Sequence, residues 1–350
     1  MKLRKLFALL LATGLLALSA CSDPAAGTTN TPSPGTSDSP QQGGEATIRV
    51  ALATASGGLG DRSFNDSAWL GFQKAAEELN VEIQVVEPQS VADYGTTLTA
   101  LADQGFDFIM AAGNDWVETI NTVAPKYPEI MFGGVNIECT LDNVAVAKFS
   151  DFEGGFLAGA LAGMMTQTDT IGYLGGVDAP AIQRFLVGYQ EGAAYVNEDI
   201  TVLPTFVGSF ADPGKGKEFS LELYNQDADI IYHGAGKSGE GLFEALMEVP
   251  DNCYAIGCDS DQDYIVEGRV LASTIKHVDV AAYDFIKSVV DGTFTSGDHI
   301  YNIANGGIDL SPMTYTADIV PQEVKDTLED IKEKIVSGEI VITDVFELQE

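Results

Sequence analysis

From residue 46 the chain alternates between short apolar runs and stretches in which apolar residues return every three or four positions. "ATIRVALA", "VEIQVVEP", "FDFIMAAG" and "IMFGGV" read as strands. Between them "SAWLGFQKAAEEL", "YGTTLTALADQG" and "WVETINTVAPKYP" read as helices, with Trp69, Phe72, Ala76 and Leu79 at helical spacing. The strand runs are apolar enough for a parallel sheet covered on both faces. After "NVAVAKF" a second series follows, with strands "TIGYLGG", "TVLPTFVGS", "ADIIYHGAG" and "CYAIGCD". These alternate with helices over "GGFLAGALAGMM", "QRFLVGYQEGAAYV", "KEFSLELYN" and "GEGLFEALMEV". The pattern predicts two α/β lobes, with ligands at the carboxyl ends of the strands.

The sequence before residue 45 follows a different rule. Lys2, Arg4 and Lys5 precede an apolar body from Leu6 to Leu18 that stops at "LSAC". A bilayer-spanning helix needs about 20 apolar residues, so residues 1–20 read as an export signal rather than a span. Residues 21–44 are rich in Ser, Thr, Pro and Gly with little to bury, the composition of a disordered tether.

Charge narrows the partners. Without the three basic residues of the signal, 15 Lys and Arg face 52 Asp and Glu, a formal charge of −37. Nucleic acid is excluded as a partner on that balance, and an anionic ligand is opposed, whereas a neutral one is not. Besides Cys21 there are three cysteines, an odd number that cannot all pair within the chain. Cys253 and Cys258 share a strand, face opposite sides and sit too far apart for a disulfide. His233, His277 and His299 have no metal-ligand spacing.

Two motifs carry alternative chemistry. "GAGKSG" at Gly234–Gly239 lies between strand and helix and satisfies G-x-G-x-x-G, with Asp259 20 residues beyond, which points to a dinucleotide-dependent enzyme. The alternative is a Gly-rich turn that lets a ligand approach the backbone. "DSDQDY" at Asp259–Tyr264 opens like a calcium loop, but Tyr264 stands where the turn glycine is needed and Val270 where the closing glutamate is needed. No G-x-S-x-G, H-E-x-x-H or paired-cysteine motif appears and no nucleophile with its base is nominated, so the chain reads as a non-enzyme without metal or cofactor.

The first strand-to-helix turn, "GGLGDRSFNDSAWLGF", offers Asn65 as a helix N-cap. Phe64 and Trp69 would then form a hydrophobic staple, and ligand stacking by Phe64 is the competing role. Taken together, the cysteine box, "DRSFNDSAWLGF", "FEGGFLAGALAG", "IGYLGG", "GSFADPGKGK", "GAGKSGEGLFEA", "IGCDSDQ" and "STIKHVD" closely resemble the basic membrane protein family of purine-nucleoside-binding lipoproteins. The likeness covers nearly everything after the tether.

That resemblance implies the receptor component of an ABC importer with the type I periplasmic-binding-protein fold, two Rossmann-like lobes joined by three crossings. One lobe would comprise residues 45–150 plus about 277–305, the other 151–276 plus about 306–350. Cys21 would be lipidated, holding the protein to a membrane on its extracytoplasmic side. Phe64 and Phe210 would sandwich the base and Asn65 would lie against its edge. Asp151, Asp259 and Lys276 would hold ribose hydroxyls, and Gly236 would offer backbone contact. Asp61 and Trp116 are further candidates, with a core role at the start of a helix as the alternative for Trp116. Core packing, helix capping and a surface ion pair are the alternatives for Phe210, Asp151 and Lys276. One departure stands out: Ala55 occupies the first-loop position where the family usually has an aspartate that reads the purine edge. Ligand identity is therefore left open between nucleosides and other small neutral solutes.

Overall fold

The computed structural model describes residues 47–346, and Cys21 and the tether lie outside them. The first lobe is laid down by β1 (Arg49–Ala53), α1 (Phe64–Leu79), β2 (Glu82–Val86), α2 (Tyr94–Asp103), β3 (Phe108–Ala111), α3 (Val117–Val123), β4 (Met131–Val135) and β5 (Val144–Phe149). The chain then builds α4 (Asp151–Met165), β6 (Thr170–Gly175), α5 (Pro180–Val196), β7 (Thr201–Phe206), α6 (Pro213–Asn225), β8 (Ile230–Gly234), α7 (Glu240–Leu246), β9 (Tyr254–Asp259) and β10 (Val270–Lys276). It closes with α8 (Val278–Val290), β11 (Gly297–Tyr301), β12 (Ile308–Leu310) and α9 (Gln322–Ser337).

Two six-stranded sheets result, in the orders β11-β5-β4-β3-β1-β2 and β12-β10-β9-β8-β6-β7. All neighbours in the first are parallel. The second is parallel except for β12, which runs antiparallel to β10. Inner strands are buried on both faces, which is why they read as unbroken apolar runs, while the edge strands β2 and β7 are half-exposed. The chain passes between the sheets after β5, after β10 and after β11, giving the two-lobed architecture with three crossings that the resemblance implied.

Helix α8 returns to the first lobe and packs on α1. A side chain on Gly71 would strike the carbonyl of Asp279, so glycine is required for that approach. In the second lobe α4 and α5 lie backbone against backbone. Gly155 and Gly159 of α4 face Phe185 and Tyr189, and Gly188 and Gly192 of α5 face Phe152 and Phe156, each too close for a β-carbon. This fixes the start of α4, which carries Asp151, against the first turns of α5, which carry Arg184 and Phe185. No helix among the described residues is long and apolar enough to cross a membrane.

Candidate functional site

The carboxyl ends of both sheets converge on one cleft. Its lining comes from the loops after β1, β3, β4, β7 and β8, the starts of α1, α4 and α5, and the ends of β9 and β10. Counting its open mouth, it holds about 680 Å³ of atom-free space. Phe64, Asn65, Asp61, Asp151, Phe210, Gly236, Asp259 and Lys276 all line it. Residues nearly 200 positions apart in sequence are thus brought together.

The first turn differs from its reading in one respect. Helix α1 begins at Phe64 with Ser63 at the cap position, so Asn65 lies inside the helix and does not cap it. The cap is Asp61, whose Oδ1 accepts the amides of Ser63 (3.0 Å) and Asp66 (3.1 Å) and whose Oδ2 accepts the amide of Asn65 (2.9 Å). A buried carboxylate at a helix N-terminus answers both the unpaired amides and the helix dipole. Burial nevertheless pushes Asp61 up to about 6, against the pull of those hydrogen bonds. Asn65 donates from Nδ2 to Asp61 Oδ2 (3.0 Å) and accepts from the Ala55 amide (2.9 Å), which leaves one amide hydrogen of its side chain uncommitted.

Asp151 is buried in the cleft at 1% exposure, as is Asp61. Its Oδ2 accepts from Asn136 Nδ2 and lies 3.7 Å from Arg184 Nη1. Its Oδ1 lies 2.9 Å from Lys276 Nζ, a buried ion pair. Burial pushes the carboxyl up while Lys276 and Arg184 pull it down. The Lys276 ammonium sits 5.4 Å from the Phe64 ring, 5.1 Å from Phe149 and 5.6 Å from Phe185, within cation–π reach of all three.

Phe210 rests on Gly176, where a β-carbon would meet its ring, and beside Gly236. Asp259 ends β9 with a positive φ of 67°, and its Oδ2 accepts from Ser63 Oγ of the opposite lobe (2.6 Å). Further bonds join the two lips: Ser260 Oγ to the Ser63 carbonyl (3.2 Å) and Gln262 Nε2 to the Arg62 carbonyl (3.1 Å). Asn136, at φ 50°, also lines the site. Left-handed backbone at non-glycine residues is strained and collects at functional sites.

Trp116 does not reach the cleft. It is fully buried, its ring stacked on Tyr94 at 3.7 Å between centroids and its Nε1 donating to the Thr54 carbonyl (3.2 Å). Its neighbour Asp115 lines the cleft instead. Phe185, Asn136 and the supporting Arg184 were also absent from the sequence reading. The one local signal was Arg184, an isolated cation in the apolar stretch "AIQRFLVG" of α5. Its Nε and Nη2 hold Asp344 (2.8 and 2.7 Å), and its Nη1 donates to the Phe149 carbonyl (2.7 Å).

Gly234 and Gly236 of the Gly234–Gly239 turn line the cleft, while the far end of the turn is occupied by packing. Gly239 lies against the His233 imidazole, the Ser238 amide donates to the Phe210 carbonyl (3.1 Å), and Ser238 Oγ donates to the Ser209 carbonyl (2.8 Å). An amide that a phosphate would need is thus turned toward the Phe210 loop.

A family model described as ABC transporter substrate-binding protein PnrA-like matches residues 48–345. The chain is 32% identical to the "ABC transporter nucleoside-binding protein BmpA" of Lactococcus lactis, covering 84% of this chain and 89% of that one. It is 31% identical to an uncharacterized lipoprotein of Pyrococcus abyssi, over 97% and 92% of the two chains. Among solved structures, an ABC transporter solute-binding protein of Aeropyrum pernix superposes with a TM-score of 0.79 at 31% identity, over 85% of this chain and 93% of that one.

Proposed function

The chain belongs to the PnrA-like family of ABC transporter substrate-binding proteins, and we propose that its cleft takes up a nucleoside, purine by preference, between the two lobes and delivers it to a membrane permease. The observation that carries this reading is the buried Asp151–Lys276 pair among aromatic rings at the cleft wall. Sugar hydroxyls both donate and accept, so one ribose can meet the carboxylate and the ammonium together. Phe64, Phe185 and Phe210 supply apolar faces for a flat base, a contact worth about 1–3 kcal/mol per base. Four carboxylates, Asp61, Asp115, Asp151 and Asp259, line the cleft against one ammonium, which opposes a phosphate and favours the nucleoside over the nucleotide. The name of the Lactococcus relative supports the same ligand class.

Delivery to a permease requires the lobes to part. The lips are joined by a few hydrogen bonds and one Arg62–Glu240 contact at 3.6 Å, contacts weak enough to exchange for ligand. Lipidation of Cys21 would hold the receptor at the extracytoplasmic face of the membrane. More than one acyl chain is needed for firm attachment, at about 0.8 kcal/mol per buried methylene.

Calorimetric titration with adenosine, guanosine, inosine, cytidine and uridine tests the proposal. Saturable one-to-one binding of purine nucleosides, with their 5′-monophosphates much weaker, is the expected result. Binding of a free sugar or another neutral solute in place of every nucleoside would overturn it.

A further inference from the structure

Asp115 lies in the loop between β3 and α3, and its two oxygens have different surroundings. Oδ2 accepts from Tyr94 Oη at 2.7 Å, and the Tyr94 ring is itself clamped face to face on Trp116. Oδ1 is buried and has no hydrogen-bond partner. It lies over Gly113, where a β-carbon would come within 2.7 Å of Oδ1 and 2.9 Å of the Ala55 β-carbon; at φ 134° that position also demands glycine. Asp115, Ala55 and Asn65 therefore border one corner of the cleft. That corner presents a single fixed acceptor from Asp115 and the uncommitted amide hydrogen of Asn65.

We propose that Asp115 is a specificity-determining residue of this cleft, its Oδ1 accepting an N–H from the edge of the bound nucleobase. This rests on the nucleoside reading above. A carboxylate oxygen buried without a partner is costly, so a ligand that brings a donor is favoured and one that does not is penalised. The chemistry selects bases with an edge N–H: the amino group of adenine, or the ring N–H of hypoxanthine and guanine. The unsubstituted purine ring offers acceptors alone and is rejected.

Titration of the unaltered protein and of Asp115→Asn with adenosine, inosine, guanosine and purine riboside tests this. Asparagine keeps the shape and an oxygen for Tyr94, but it presents an N–H₂ where Oδ1 stood. The unaltered protein is expected to bind at least one donor-bearing nucleoside tighter than purine riboside by about tenfold or more, and the variant to lose most of that ratio. Should the variant fold poorly, N6,N6-dimethyladenosine and 1-methylinosine against their parents ask the same question of the unaltered protein. Nucleoside binding with an unchanged ratio in the variant, or methylated ligands that bind like their parents, overturns the role of Asp115 alone. Absence of all nucleoside binding by the unaltered protein overturns the nucleoside reading and this role with it.

Discussion

Lys276 ends β10 and Asp151 begins α4, so the 2.9 Å contact between them joins two of the three places where the chain passes from one lobe to the other. Both side chains are buried, at 8% and 1% exposure. Removing one partner of a buried pair typically costs about 3–5 kcal/mol, because the other charge is left unpaired. Lys276→Met should therefore destabilise the protein by roughly that amount, softened by Arg184 and Asn136. Lys276→Met with Asp151→Asn should recover a large part of the loss. Chemical denaturation of the four members of this cycle checks it, and additive losses would show that the two side chains are uncoupled.

The two α/β series were legible because inner parallel strands are buried on both faces and leave apolar runs in the sequence. The pattern fades where that condition fails. β10 carries Ser273 and Thr274, polar side chains whose hydroxyls bond Asp263 and Tyr232 inside the protein. β11 is an edge strand of alternating exposure, and β12 has three residues. The site was legible only through the ordered family motifs, since an aspartate at a strand end looks the same whether it caps a helix or meets a ligand. Asp61 shows this, lining the cleft while capping α1. Asn136, Phe185 and Asp115 join the site through tertiary placement, which no local spacing announces.

Cys21 lies outside the described residues, and its role rests on the "LSAC" box. Cys21→Ser should shift the protein from the membrane fraction to the soluble fraction or leave it with its first 20 residues uncleaved. Fractionation and the mass of the mature chain read this out. Full processing with unchanged membrane association would refute lipidation at that cysteine.

The α4–α5 contact makes another expectation sharp. A side chain at Gly159 would meet the Tyr189 carbonyl, so even Gly159→Ala must push the helices apart. Overpacking of this kind costs about 1–3 kcal/mol. Because α4 and α5 carry Asp151 and Phe185 into the cleft, ligand affinity should fall as well. Gly95, with open space around its β-carbon position in α2, is the control: Gly95→Ala should be neutral or slightly stabilising in the same thermal unfolding assay.

Phe64 tests the aromatic wall. With α1 starting at Phe64, this residue is not the pre-helix half of a staple, and its ring instead faces Lys276. Phe64→Leu keeps apolar volume but removes the π-face, so nucleoside affinity should fall by about 1–3 kcal/mol. The melting temperature of the unliganded protein should change little. Titration and unfolding on the same preparation separate the two effects, and unchanged affinity for every nucleoside would remove Phe64 from the binding surface.

Asp61 gives a pH dependence with a defined sign. Its folded value of about 6 lies above its ordinary 3.8, so between these values the folded state holds more proton than the unfolded one. The cost of keeping the buried carboxylate charged is fully present above pH 6 and is relieved as pH falls toward 4. Asp115, Asp151, Glu153 and Asp263 are raised by burial too and act in the same direction, whereas His233, held neutral by burial, opposes them below its ordinary 6.5. Asp61→Asn isolates one group from the rest. The stability of the parent relative to this variant should rise by up to about 3 kcal/mol between pH 7 and pH 4, at about 1.4 kcal/mol per unit of displacement. Denaturant unfolding across that range measures it. A difference that stays flat with pH would mean that the three amides capped by Asp61 outweigh its burial and hold its carboxyl near the ordinary value.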